Sequence, residues 1–340
     1  MMLWILLVIT IAFGVSAFLT RRFCDPASRM HLLDHPNERS LHSQPTPRTG
    51  GVAILLGLAS SVPVWIIILA VDDSLLWLAA GAVIIAAVSF LDDRHGISVV
   101  GRFLGHLLGA GLLVIGAGLA LPPLFTGMPM LPIWLGLALS ILFLVWMVNL
   151  YNFMDGMDGF AAGMAVIGFG AFALLGLLAG NMPFLALSLG IASAASGFLI
   201  FNFPPARIFM GDTGSATLGL LAGGLSLWGA RDEVFPFWVA ALVFSPFIVD
   251  ASVTLIRRLS RGERVWQAHK SHYYQRLVLS GWGHRKTVLY EYALMLACGL
   301  SALFAQQMSA LGQGALIIFW SLVYAILMAG VRHLEKKKNP

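Results

Sequence analysis

Long apolar segments follow one another along almost the whole chain, separated by shorter polar connections. Within each segment the apolar residues are continuous rather than alternating with polar ones, which favours helices over half-buried strands. A helix needs about 20 mostly apolar residues to cross a bilayer, and in lipid only helices and closed barrels satisfy every backbone amide and carbonyl. We therefore predict about eleven transmembrane helices. They lie near residues 2–20, 51–71, 75–91, 101–121, 131–149, 160–180, 182–201, 214–230, 235–256, 287–306 and 311–331.

The composition agrees with this pattern and gives the fold class. Apolar residues make up 59% of the 340-residue chain, charged residues make up 11%, and the mean hydropathy is +0.85. These values are typical of a polytopic membrane protein and unlike those of a soluble domain. The predicted fold class is therefore all-α, an integral membrane protein in which residues 1–340 form a single transmembrane domain.

The basic residues predict the orientation, because Lys and Arg in short loops stay on the cytoplasmic side. When successive spans alternate across the membrane, every Lys and Arg except Arg231 falls on the same side. An odd number of spans, with the N-terminus outside and the C-terminus in the cytoplasm, matches this distribution. It makes the loops of about 21–50 and 257–286 cytoplasmic. The net charge of +5 then reflects topology, with some attraction for anionic lipid headgroups and no reason to expect a nucleic-acid partner.

Acidic residues stand where apolar segments end, on the side predicted to be cytoplasmic. The first are Asp92 and Asp93, whose adjacent carboxylates repel each other unless a cation or a proton relieves them. Taken alone, two solvated acids at a helix end explain this pair equally well. The pair therefore indicates a cation site only together with the other clusters.

A second cluster lies in the segment NLYNFMDGMDG, directly after an apolar run. Asn149, Asn152, Asp155 and Asp158 recur every three residues, so on a helix they form one polar stripe. Amide and carboxylate oxygens suit Mg²⁺, which prefers oxygen ligands and usually shares them with substrate phosphates. Helix capping could explain one Asn or Asp of this kind but hardly the whole stripe.

A third cluster lies in FNFPPARIFMGDTGS, where Asn202 ends one apolar run and Asp212 precedes the next. Asp212 could be a helix N-cap, and the free amides of the same helix start could bind a phosphate. The structural and the functional interpretation therefore share one geometry, and the sequence leaves both open.

A histidine pair and one intramembrane acid complete the candidates. His269 and His272 lie in a basic loop, where a pair of surface histidines is the better interpretation of the spacing alone. Asp250 lies inside the ninth apolar run, where an ionisable group usually faces a polar interior. Asp250 could support the site or could pair with a polar group of a neighbouring helix.

Several of these segments together resemble one family. PTPRTGG at 45–51, LDDR at 91–94, NLYNFMDGMDG at 149–159, ARIFMGDTGS at 206–215 and HKSH at 269–272 match its motifs in order. The family is that of the polyprenyl-phosphate N-acetylhexosamine-1-phosphate transferases, also called bacterial glycosyl transferase family 4. The match spans about residues 34–285, and motifs in register are far more specific than any single one.

The resemblance implies an enzyme of the bacterial cytoplasmic membrane that works at its cytoplasmic face. Its members transfer a sugar 1-phosphate from a UDP-sugar, which carries an N-acetylated sugar, to polyprenyl phosphate and release UMP. By resemblance, Asp92 and Asp93 are the catalytic acids, with Asp92 deprotonating or orienting the acceptor phosphate. Asp212 and Asn152 are by resemblance the ligands of Mg²⁺, with Mn²⁺ as the alternative ion.

The resemblance also implies a substrate-binding set. Arg102 would lie near the diphosphate, Phe209 would stack on uracil, and the two histidines would face the diphosphate and sugar. The full set is Arg102, Asp155, Asp158, Asn202, Phe209, Gly211, His269 and His272. Further candidates are Arg48, Asn149 and Asp250.

Two further points concern the branch of the family and the other protein classes that the sequence could indicate. Tyr273 follows His272 where the peptidoglycan-type translocases carry a third histidine, so the chain is most similar to the branch that initiates O-antigen and lipopolysaccharide synthesis. A secondary transporter and a CDP-alcohol-type phosphotransferase are the alternatives. The acids gather at helix ends rather than at mid-membrane, which argues against the transporter. The sugar and the oligomeric state, including a homodimer, stay open.

Overall fold

The computed structural model describes residues 2–36, 40–68, 73–123, 129–264 and 269–338, with only the backbone for 66–68. Arg39, one of the basic residues used for the orientation, lies outside this part of the chain. So do short stretches of the loops 21–50 and 257–286 and of the run 51–71.

Helices make up most of the described chain, with one small antiparallel strand pair in the loop after the first helix. In chain order the elements are α1 (Met2–Phe23), β1 (Leu33–Asp34), β2 (Thr46–Pro47), α2 (Gly50–Ile68), α3 (Asp73–His95), α4 (Val99–Gly116), α5 (Ile133–Phe153), α6 (Phe160–Leu178), α7 (Met182–Asn202), α8 (Gly211–Arg231), α9 (Phe237–Val243), α10 (Ser245–Leu259), α11 (Tyr273–Leu277), a π-helical turn (Val278–Trp282), α12 (Gly283–Ala305) and α13 (Ala310–Lys338).

Within the described residues, 8 helices are long and apolar enough to cross a membrane, or up to 9 if the bent pair α9 and α10 forms one span. The prediction of an all-α polytopic membrane protein is confirmed. Each predicted apolar run falls on a helix or on the bent pair, but the number of spans and the orientation stay predictions. The helix α8 is not one of these 8 helices, although the sequence predicted a transmembrane span there. Its residues Thr213–Gly229 are all buried by neighbouring helices, so they need not be apolar enough to face lipid.

The ninth run is broken rather than continuous. The axes of α9 and α10 meet at 82°, and Pro246 in the first turn of α10 lacks the N–H that would continue the hydrogen bonding of α9. The bend sends α10 in a new direction, and α10 carries Asp250 toward α11.

Close helix packing places the PTPRTGG segment beside the start of α8. The backbone N–H of Phe209 donates to the carbonyl of Pro47 at 2.6 Å, and that of Gly51 donates to the carbonyl of Met210 at 2.7 Å. A Cβ atom on Gly51 would lie 2.2 Å from the backbone nitrogen of Gly214. A larger residue at 51 would therefore separate α2 from α8.

One prediction of local structure is wrong. The segment NLYNFMDGMDG does not continue as a helical stripe, because α5 ends at Phe153 and α6 begins only at Phe160. Gly159 has a φ of 73°, a left-handed conformation that suits glycine and interrupts the helix. Asp155 and Asp158 therefore lie on a turn between two helices.

Candidate active site

A polar cavity of about 220 Å³ lies where the C-terminal ends of α3, α5 and α7 meet the N-terminal ends of α6 and α8. Many residues predicted for the site line this cavity. They are Arg48, Asp93, Asp155, Asp158, Asn202, Phe209, Gly211 and Asp212. Residues from distant parts of the sequence therefore converge at one end of the helix bundle.

The second acid of the LDDR motif joins two of these helices. The Asp93 carboxylate accepts hydrogen bonds from the backbone N–H of Asp212 at 3.2 Å and from that of Thr213 at 2.9 Å. The hydroxyl of Thr213 donates to it at 2.7 Å. Asp93 thus satisfies two of the free amides at the start of α8, which is where the helix dipole favours a negative charge. The N-cap interpretation of Asp212 is wrong, because Asp212 lies inside the first turn and Asp93 supplies the capping carboxylate.

The first acid of the motif faces a different group. Nη1 of Arg102 lies 3.0 Å from the Asp92 carboxylate and 3.6 Å from that of Asp212. The side chain of Asn152 lies beside Asp212 and donates to the hydroxyl of Ser215 at 3.2 Å. Asp92, Asn152 and Asp212 therefore surround one small region, bridged by the charge of Arg102.

The turn between α5 and α6 adds acids to the cavity. Burial raises the pKa of Asp155 well above its usual range, and the charges of Asp212 and Asp93 raise it further. The Asp158 carboxylate accepts from the backbone N–H of Ala206 at 3.0 Å. Asn202 joins the same elements, since it accepts from the N–H of Gly159 at 2.9 Å and donates to the carbonyl of Ile208 at 2.8 Å. The cavity thus combines the buried Asp93 with the partly buried Asp155, Asp158 and Asp212 on a firmly held backbone.

Comparison with known proteins gives this arrangement a context. The model of glycosyl transferase family 4 matches residues 75–230. A Bacillus subtilis (strain 168) protein named probable undecaprenyl-phosphate N-acetylglucosaminyl 1-phosphate transferase is 32% identical over 92% of this chain and 87% of its own length. This chain belongs to glycosyl transferase family 4.

Other relatives in glycosyl transferase family 4 carry different names. Decaprenyl-phosphate N-acetylglucosaminephosphotransferase of Mycobacterium tuberculosis (strain CDC 1551 / Oshkosh) is 34% identical over 78% of this chain and 74% of its own length. Phospho-N-acetylmuramoyl-pentapeptide-transferase of Shouchella clausii (strain KSM-K16) is 31% identical over 72% of this chain and 78% of its own. The relatives thus differ in the sugar that their names give.

The cavity of this family 4 member also uses residues that the sequence interpretation missed. The ring centroid of His42 lies 4.8 Å from that of Phe209, and Nε2 of His42 lies 3.6 Å from the Asp34 carboxylate. Nδ1 of His284 lies 3.0 Å from the Asp158 carboxylate. Both histidines line the cavity. The only sequence signal was their position, His42 just before PTPRTGG and His284 just before an apolar run.

Seven predicted residues lie outside the cavity lining. They are Asp92, Asn152 and Arg102, which lie beside Asp212, and Asn149, Asp250, His269 and His272. Asn149 donates to the carbonyl of Val145 in its own helix at 2.7 Å. His272 is only 3% exposed, so the surface interpretation of the histidine pair is wrong for this residue. Its Nδ1 lies 3.3 Å from Asp250, and its ring lies 4.8 Å from that of His269. Burial, then His272 and Arg258, lower the pKa of His269 to about 4, so its ring is neutral at pH 7.

The donor set suits a divalent cation that is shared with a substrate. Among the described residues, no group of three or more His, Cys, Asp or Glu side chains is arranged to hold a metal ion by itself. Mg²⁺, however, is usually bound by one or two carboxylates together with water and substrate phosphates. The mutual repulsion of Asp155, Asp93 and Asp212 is the kind that a cation relieves. The side chain of Arg48 lines the cavity, and its Nε is buried and makes no hydrogen bond within the described structure.

Proposed function

We propose that this protein transfers an N-acetylated sugar 1-phosphate from a UDP-sugar to polyprenyl phosphate, giving a polyprenyl-diphosphate-linked sugar and UMP. The observation that carries the proposal is the convergence of Asp93, Asp155, Asp158 and Asp212 with Phe209 in one cavity at the end of the bundle. A lipid phosphate stays at the membrane surface because its apolar chain remains in the bilayer. A site at helix ends is therefore accessible to both reactants.

The reaction forms one phosphorus–oxygen bond and breaks another. An oxygen of the lipid phosphate attacks the phosphorus that carries the sugar, and the bond to the bridging oxygen breaks, so that UMP leaves with that oxygen. Joining two anionic phosphates requires charge neutralisation and an in-line arrangement of nucleophile and leaving group. Arg102 and Arg48 supply positive charge, and Asp92 would orient or deprotonate the acceptor phosphate. Asp93 would keep Asp212 in place through the start of α8.

Mg²⁺, or Mn²⁺ in its place, belongs to the proposal. Asp212 and Asn152 would hold the ion, which, when bound, stabilises negative charge on the phosphates. Their adjacency across α5 and α8 supports this assignment. Asp155, Asp158 and Asn202 would hold the uridine, and Phe209 would stack on its base.

The sugar and the pathway are finer parts of the proposal. N-acetylglucosamine is the first sugar to test, because the Bacillus and Mycobacterium relatives carry it in their names. N-acetylfucosamine and N-acetylquinovosamine come next. We propose that the product initiates O-antigen-type polysaccharide, which rests on the HKSH motif in place of a run of three histidines. The location would be the bacterial inner membrane, with the site facing the cytoplasm, as the basic residues predict.

The test uses purified full-length protein in detergent with undecaprenyl phosphate, Mg²⁺ and a panel of UDP-sugars. We expect UMP release and a lipid-linked product with one N-acetylated sugar, and neither product without the lipid phosphate. Release of UMP that is independent of the lipid, or no release with any sugar of the panel, would overturn the proposal.

A further inference from the structure

The short helix α11 forms one wall of the cavity. Gln275 on α11 lines the cavity beside Asp155 and Asp158. The hydroxyl of Tyr274, which is fully buried, donates to the carbonyl of Phe153 at 3.1 Å. The position of α11 therefore influences the turn that carries Asp155.

This contact leaves little free space. A Cβ atom on Gly156 would lie 2.2 Å from the hydroxyl oxygen of Tyr274. The ring of Tyr274 also lies 4.8 Å from that of Phe160 at the start of α6. A shift of α11 would therefore move the acidic turn or open a gap beside it.

One side of α11 is held by Asp250. Its carboxylate accepts from the backbone N–H of Tyr273 at 2.9 Å and from that of Tyr274 at 3.1 Å, and it lies 3.3 Å from Nδ1 of His272. Asp250 thus fixes the start of α11 to α10. This contact explains a buried acid within the ninth apolar run without placing it at the reacting groups.

The other side of α11 is held by the last turns of α13. The Arg276 side chain is 7% exposed and forms a bidentate ion pair with Glu335, in which Nε donates to Oε1 at 2.6 Å. The guanidinium also lies over the ring of Tyr273, 4.5 Å from its centroid. A bidentate pair of this kind, with Arg276 buried and Glu335 partly exposed, defines both distance and orientation.

Two further residues near the C-terminal end of α13 contact α11 and the π-helical turn. Nη2 of Arg332 lies 3.4 Å from the hydroxyl of Tyr273, and Nζ of Lys338 donates to the carbonyl of Leu279 at 2.6 Å. Elsewhere α13 exposes large apolar side chains such as Leu311, Ile318 and Ile326. The polar contacts of α13 with α11 and with the π-helical turn therefore lie at the C-terminal end of α13.

We propose that Glu335 is a positioning residue that acts through Arg276 to hold α11, and with it Gln275 and the Asp155 turn, in the geometry the cavity needs. The C-terminal end of α13 then sets the geometry of a site that it does not touch. The activity part of this inference rests on the proposed function, whereas the positioning part does not.

The experiment compares full-length wild-type protein in detergent with Glu335→Ala, with the isosteric Glu335→Gln and with Lys337→Ala. Lys337 is an exposed neighbour on the same turn and serves as the control. Hydrogen exchange is followed by mass spectrometry in peptides that cover 269–282, and in peptides of α8 as a reference. Steady-state UMP release gives kcat and KM for the nucleotide sugar.

For Glu335→Ala we expect faster exchange in 269–282 with unchanged exchange in α8, and wild-type behaviour for Lys337→Ala. We expect kcat/KM to fall about 10- to 100-fold, because a misplacement of about 1 Å can cost that much. Glu335→Gln, which retains the shape and one acceptor, should fall between. The double variant Arg276→Glu with Glu335→Arg reverses the pair and should recover part of the lost protection and activity.

Unchanged exchange in 269–282 for both Glu335 variants would overturn the positioning role. A lower thermal stability with wild-type KM and kcat in the folded fraction would also overturn it, because it would leave a purely structural contact. If the wild type itself shows no transfer with any UDP-sugar, the proposed function fails, and the exchange data still decide whether Glu335 holds α11.

Discussion

The Asp93 carboxylate at the end of α3 accepts two hydrogen bonds from Thr213 at the start of α8, from the backbone N–H at 2.9 Å and from the hydroxyl at 2.7 Å. This contact joins the LDDR and GDTGS segments, which lie 120 residues apart in the chain. It places Asp212, the residue before Thr213, between Arg102 and Asn152. The two motifs therefore act as one structural unit.

Replacing Asp93 should weaken the protein as well as the reaction. In Asp93→Asn a single amide oxygen replaces the two oxygens that accept from the N–H groups of Asp212 and Thr213, so we expect a loss of about 1–2 kcal/mol in the free energy of unfolding. Thr213→Val should lose about 1 kcal/mol, because only one hydrogen bond disappears. Thermal unfolding in detergent and UMP release measure the two effects. Thr217→Val is the control, since the Thr217 hydroxyl bonds only within α8, and equal effects of all three substitutions would contradict the capping role.

Removing Asp155 should have opposite effects on stability and activity. Because its pKa is raised in the folded protein, Asp155 reduces stability as pH rises above its unfolded value of about 3.9. In metal-free buffer at pH 7, Asp155→Asn should therefore unfold at a higher temperature than the wild type, and the difference should vanish near pH 4. Nucleotide binding and UMP release should fall in the same variant. A lower unfolding temperature at pH 7 would show that the negative charge of Asp155 is stabilising instead.

Removing the cation with a chelator and replacing the acids around the proposed cation site should both reduce UMP release. We expect EDTA to stop UMP release and Mg²⁺ or Mn²⁺ to restore it in the wild type. Asp212→Ala and Asp92→Asn should each reduce the rate by about 100-fold or more, because they remove groups that stabilise or orient the reacting phosphates. Asp73→Asn is the control for Asp92→Asn, since Asp73 is exposed at the other end of α3. Full activity of a folded Asp92 or Asp212 variant would reject the role of that residue.

The aromatic pair at the cavity should contribute to nucleotide affinity. Phe209→Leu and His42→Ala should each raise the KM for the nucleotide sugar by about 3- to 10-fold, the effect of an aromatic contact of about 0.5–1.5 kcal/mol. The value of kcat should change much less, because neither ring is assigned to the reacting phosphates. Phe201→Leu, in the same segment but outside the cavity lining, should leave KM unchanged. A fall in kcat alone would point to a role in the chemical step.

Labelling of single cysteines tests the predicted orientation. In a Cys24→Ser background, a cysteine at Ser271 should resist an impermeant thiol reagent applied to intact cells and react after the membrane is opened. A cysteine at Glu233, at the opposite end of the bundle, should react from outside. The reverse pattern would place the proposed site on the outer side of the membrane.

The sequence by itself determined the fold class, because continuous apolar segments in lipid must be helices, whatever they pack against. It also identified the acids at helix ends. A carboxylate requires water or a partner, so it stands out in a sequence where it borders an apolar segment. The break after Phe153 could in retrospect be read from Gly156 and Gly159, but a spacing of three residues fits a helix equally well. Periodicity is a local property, whereas the end of a helix also depends on what the next segment contacts.

Only the tertiary structure decided how the acids are used. Asp92 and Asp93 are adjacent in sequence, yet one faces Arg102 and the other caps α8. Likewise, the contacts of Glu335 with Arg276 and of His42 with Phe209 join residues with no shared motif. Helix packing decides which distant side chains come into contact. That packing depends on small residues such as Gly51 and on the bend before α10. The pattern of hydrophobic residues along the sequence predicts the length and polarity of each helix. It does not predict which faces of the helices pack against each other.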